Sequence, residues 1–160
     1  TVFISKCLNG NEQIYSNIVL ISAIGALACT LLIVFFNIKL SLNWLCFSIT
    51  SIGISIIIFA LNTIIFLAYV IVFFVGATQV LFNTLFYSYI QQHVNKDYLG
   101  RVFSLLFTVC GMLVPIANVF FGYIGEKNIE FSILISGVAV CLISLLYFLV
   151  LKKVSYNDYY

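Results

Sequence analysis

The apolar positions of this chain come in long runs, and its few charged residues punctuate them. No charge appears from Ile14 to Ile38, and none again from Leu40 to Asn95. An α-helix needs about 20 residues to cross a hydrocarbon layer about 30 Å thick. Trp44 to Ile90 as one helix would reach about 70 Å, more than twice that thickness. The run must therefore turn once, and the polar pair Asn62-Thr63 is the best place for the turn. The pattern predicts five membrane-spanning helices, at about 14–38, 44–61, 64–90, 102–124 and 131–151. The fold class expected is all-α and integral to a membrane.

Composition excludes the main alternatives. Hydrophobic residues make up 64% of the 160 positions and charged residues only 8%. A soluble domain is about half apolar and about a quarter charged, so this chain would leave a large sticky exterior in water. The charge is too low for disorder, and a net +2 is too weakly basic for nucleic-acid binding. Cys7, Cys29, Cys46, Cys110 and Cys141 are scattered, and His93 is the single histidine. That arrangement offers neither a metal site nor a redox pair, and no cofactor is expected.

Lysine and arginine set the expected orientation. With the C-terminus cytoplasmic, that side carries Lys39, Lys96, Arg101, Lys152 and Lys153, against Lys6 and Lys127 opposite. Tyr15, Trp44, Tyr87, Tyr89, Tyr123 and Tyr147 fall near span ends, as an interfacial belt would. Thr1 then lies outside, and Thr1–Ile4 reads as the tail of an earlier span. Residues 1–160 are thus expected to be one domain, the remainder of a six-span unit. Richness in Ile, Phe, Asn and Tyr fits an AT-rich bacterial genome, so the location expected is a bacterial cell membrane.

Every charge lies in a loop or at a span end, yet polar and small residues recur at helical spacing. Gly76, Gln79, Asn83 and Tyr87 fall on one face of the third span. Ser104, Thr108, Gly111, Pro115, Asn118 and Gly122 do the same on the fourth. An amide facing lipid would go unsatisfied, so Gln79, Asn83 and Asn118 should face protein or water. Gln79, Asn83, Tyr87, Thr108 and Asn118 are the candidate cavity residues. Gly76, Gly111, Pro115 and Gly122 are candidates for hinge or packing roles, as are the serines of the second span for packing.

The connection from Gln91 to Ser104 is the most distinctive segment. Gln91, Val94, Asp97, Gly100, Arg101, Val102 and Ser104 match, with Asp97 for glutamate, a pattern Q-x-x-V-P-x-E-x-R-G-R-V-x-S. It resembles the loop before the eleventh helix in the major facilitator superfamily, in the branch of macrolide and other drug-efflux proteins. Pro115, Gly122 and Glu126 continue the likeness, while Asn95 and Lys96 replace its proline region and Leu99 an arginine. The resemblance implies helices eight to twelve of a twelve-helix carrier, that is, five spans of a six-helix half bundle. It implies a secondary transporter whose halves rock around a midplane site.

On that likeness the expected function is proton-coupled efflux of a small amphipathic compound, with the missing N-terminal half, the bilayer and the substrate as partners. Any coupling carboxylate would lie in that other half. Asp97 and Arg101 are either a charge pair at the inner gate or a helix start and a topological anchor. A second expectation is a small membrane interaction or assembly protein whose stripes are all packing seams. A membrane-embedded enzyme has no support, since no acid or histidine lies within a span and no serine has a base beside it.

Overall fold

In a computed structural model, residues 11–36 and 42–157 are described. They form five long helices: α1 (Glu12–Phe36), α2 (Leu42–Ala60), α3 (Ile65–His93), α4 (Leu99–Lys127) and α5 (Ile129–Asn157). A single 3-10 turn, Lys96–Tyr98, precedes α4. There is no strand among the described residues. Each helix has a stretch long and apolar enough to cross a membrane. Thr1–Ile4, Lys6, Cys7 and Lys39, used above for topology, lie outside the described residues, as does the Ile38 end of the first span.

The helices match the expected spans but run further at most ends. α3 continues past Ile90 to His93, and α4 starts at Leu99 and ends at Lys127. With 29 residues, each is about 44 Å long. The hydrocarbon layer is about 30 Å thick, so their last turns reach headgroup depth. Charge marks where the hydrocarbon ends; the helical hydrogen-bond ladder continues beyond it.

The α2–α3 connection forms at the expected Asn62-Thr63. The Asn62 side chain closes it from both sides, its Nδ2 donating to the Ile64 carbonyl (2.8 Å) and its Oδ1 accepting from the Ile64 N–H (3.0 Å). Asparagine can imitate a backbone turn in this way, and here it does so while itself buried. The α4–α5 corner also uses an asparagine. The Asn128 N–H bonds the Ile124 carbonyl at the end of α4, and its Oδ1 accepts from the Phe131 N–H (3.1 Å) at the start of α5.

Two helix pairs are keyed by glycine. α1 lies along α3, and α2 packs against both α3 and α5. A Cβ on Gly25 would collide with the Phe73 carbonyl, and one on Gly76 with the Ser22 carbonyl, so the α1 and α3 backbones meet at two reciprocal points. Gly53 of α2 and Gly137 of α5 face each other: a Cβ on either would lie 3.2 Å from the other's carbonyl, and closer still to Cys141 or Ile57 respectively. Beside that contact the Thr50 and Ser144 hydroxyls share a 2.6 Å hydrogen bond. Close backbone approach and interhelical hydroxyl bonds are what hold helices together where lipid removes the hydrophobic drive.

α4 is different. None of its residues is buried. Its main helix contact is with α5, supported by Ser132 Oγ donating to the Phe121 carbonyl (3.1 Å).

Candidate functional site

The polar residues of α3 and α4 arise from an otherwise apolar frame, and their placement sorts them into three groups. Gly76 is buried against α1, so the first member of the α3 stripe serves packing. Tyr87 turns instead to α4, its ring 5.8 Å from Phe103 and 6.2 Å from Phe107. One stripe on one face is thus divided between two neighbours.

Gln79 and Asn83 fall between those contacts. Gln79 is the middle residue of α3 and is exposed, and Asn83, one turn on, is half-buried. Neither amide makes a hydrogen bond among the described residues. Several span hydroxyls are satisfied locally. Thr30, Thr50, Thr78 and Thr108 each donate to the carbonyl four residues earlier, at 2.8 to 2.9 Å, and Ser48 to Leu45 (2.8 Å). An amide has two donors and an acceptor and cannot be satisfied that way. Gln79 and Asn83 therefore need a partner from outside α3.

Aromatic rings frame this region. Phe82 stacks on Phe86 (5.7 Å), Phe86 meets Tyr87 (5.9 Å), and Phe103 stacks on Phe107 (6.1 Å). They join α3 to α4 at the end of the bundle nearer the Val94–Tyr98 connection. Sequence reasoning missed Phe82, Phe86, Phe103 and Phe107. Their i,i+4 spacing was visible, but in so aromatic a chain it singles out nothing.

On α4, Ser104, Thr108, Gly111, Pro115, Asn118 and Gly122 are all exposed. A Cβ at Gly100, Gly111 or Gly122 would meet nothing within 4 Å. The helix runs unbroken through Pro115. Gln91 is exposed on the last turn of α3, and Asp97 sits in the 3-10 turn. No ion pair joins Asp97 to Arg101; the Arg101 guanidinium lies instead over the Tyr98 ring, 5.9 Å from its centre. The expected stripe is present, and nothing among the described residues packs on it.

His93 closes α3 by stacking on Tyr89 (4.1 Å) with its Nδ1 at 2.9 Å from the Tyr89 carbonyl. Cys29, Cys46, Cys110 and Cys141 are free thiols. Among the described residues no three His, Cys, Asp or Glu side chains gather where they could hold a metal. No protein family matches the chain, nor does any curated protein or any solved structure.

Proposed function

We propose that this chain is part of a secondary transporter of the facilitator type, which exports a small amphipathic compound by alternating access. The observation that carries the reading is the pair Gln79 and Asn83: two amides at mid-helix in an apolar bundle, without a hydrogen-bond partner among the described residues. An unsatisfied amide in hydrocarbon costs several kcal/mol, about 2–7. Such a pair belongs beside a water-filled cavity or a polar ligand. Tyr87 and the rings around it add an apolar wall next to the amides, which is the lining an amphipathic solute requires.

In this reading the open face of α4 from Gly111 to Gly122 borders the other half of the carrier, and proton coupling belongs to an acidic residue there. The test is efflux of a fluorescent amphipathic compound from cells expressing the whole protein. Asn83→Leu and Gln79→Leu are expected to reduce efflux about tenfold, the cost of one or two lost hydrogen bonds, at an unchanged amount of protein in the membrane. Normal efflux by both variants would reduce the α3 stripe to packing. Residues 1–160 alone in vesicles are expected to show no saturable, gradient-driven transport.

The uncovered α4 face also favours a second reading, a membrane interaction or assembly protein that docks a partner there. In that case Asn83→Leu leaves function intact, and substitutions at Gly111 or Gly122 abolish it.

A further inference from the structure

The loop end of the same α4 face carries a second feature. Gly100, Arg101, Ser104, Leu105, Thr108 and Val109, all on α4, line a shallow groove open on its other side. Arg101 has no carboxylate partner among the described residues. Its guanidinium rests on the Tyr98 ring, 5.9 Å from the centroid. A guanidinium over an aromatic face, without a carboxylate partner, keeps an N–H fork available, and that fork matches a phosphate bidentately.

Polarity changes along the groove in a definite order. The cation Arg101 stands at the loop end, the Ser104 hydroxyl about one turn deeper, and Leu105 and Val109 carry an apolar wall beyond. Thr108 donates to the Ser104 carbonyl, so its methyl side also adds apolar surface. Arg101 to Val109 covers about 12 Å of helix. A bilayer passes from headgroup through ester to acyl chain over a similar depth. Lys96, Lys152 and Lys153 belong by sequence to the same end of the bundle, where Asp97 is the acid within the described residues. The first turn of α4 has no side-chain cap, so its N–H groups add to the positive field.

We propose that this groove binds an anionic phospholipid of the adjacent leaflet, with the phosphate on Arg101 and Ser104 and an acyl chain along Leu105 and Val109. The site requires only that the helices span a membrane and does not depend on transport. The shared chemistry is a phosphate ester, so a soluble phosphate compound is the competing ligand to be distinguished.

The full chain, purified in detergent and stripped of lipid, is titrated with phosphatidylglycerol, phosphatidylcholine or glycerol phosphate and followed by native mass spectrometry. Phosphatidylglycerol is expected to bind at least tenfold more tightly than the other two. Arg101→Gln is expected to weaken it about tenfold, the loss of a charge-assisted hydrogen-bonded contact. Arg101→Lys, which keeps the charge but not the fork, should fall between. Lys127→Gln, at the opposite end of α4, should change nothing. Val109→Trp, which fills the groove and keeps the charge, should also weaken binding, and circular dichroism checks that each variant remains helical. Equal binding of phosphatidylglycerol and phosphatidylcholine, or undiminished binding by Arg101→Gln, would overturn the site. Equal binding of glycerol phosphate would overturn the lipid assignment in favour of a soluble phosphate.

Discussion

α3 and α4 have the same length and similar apolar content, and each carries one stripe of small and polar residues, yet only the α3 stripe is packed. On α3, Gly76 meets the α1 backbone and Tyr87 meets α4. On α4, Gly111 and Gly122 face open space, and the exposed Asn118 makes no hydrogen bond within the described chain. The difference teaches that a glycine-containing stripe specifies how closely a neighbour can approach, without supplying the neighbour. Backbone contact at Gly25, Gly53, Gly76 and Gly137 is satisfied inside the chain. The α4 stripe has the same chemistry and meets no neighbour among the described residues.

Substitutions at the two kinds of glycine should differ most. Gly76→Leu drives a side chain into the Ser22 backbone, which cannot move aside as a side chain would. A loss of about 3 kcal/mol or more is expected, at the upper end of overpacking, measured by unfolding in mixed micelles. Retained stability would break the comparison outright.

A smaller effect is expected at the α2–α3 turn. Asn62→Leu removes both hydrogen bonds to Ile64 and takes the Ile64 N–H's partner away, while the Ile64 carbonyl keeps its bond from the Ala68 N–H. About 2 kcal/mol should be lost, and Asn62→Asp should recover part of it, because the acceptor to the Ile64 N–H survives. Between α2 and α5, a double-mutant cycle of Thr50→Val and Ser144→Ala should give a coupling of about 0.6 kcal/mol. A coupling near zero would leave Gly53 and Gly137 as the sole key to that pair.

The smallest change sharpens the comparison most. Gly111→Ala in the isolated chain should be neutral or stabilise by about 0.5 kcal/mol, since an open helical glycine gains from a methyl group. In the whole protein the same variant should lower function if a partner lies against α4. The two readouts, unfolding and efflux, should then move in opposite directions.

Some of this was legible in the residues. The Asn62-Thr63 turn was, because a charge-free run of that length must reverse and few positions in it are polar. Helix number and approximate placement followed from the same charge spacing. Helix ends were misjudged by up to six residues, at the end of α5, because Lys96, Arg101, Lys127 and Lys152 report the depth of the hydrocarbon and not the end of the hydrogen-bond ladder. Pairing was not legible. Periodicity puts Gly76 and Tyr87 on one face, but a face becomes a contact only when another helix is placed, and here two different helices are. Gly25, Gly53 and Gly137 passed unnoticed because a lone glycine in a span looks the same whether or not a carbonyl lies against it.

The tight Asn62 connection also constrains how the protein is made. Its two helices are joined by a neutral corner without a lysine or arginine on either flank. Nothing there can hold the corner on one side of the membrane while the second helix is still being synthesised, and nothing there resists being carried across. α2 and α3 are therefore expected to enter the bilayer together, as a hairpin emerging from the insertion machinery. The side on which the corner comes to rest is then decided by the basic residues before α2 and after α3, translated many residues apart.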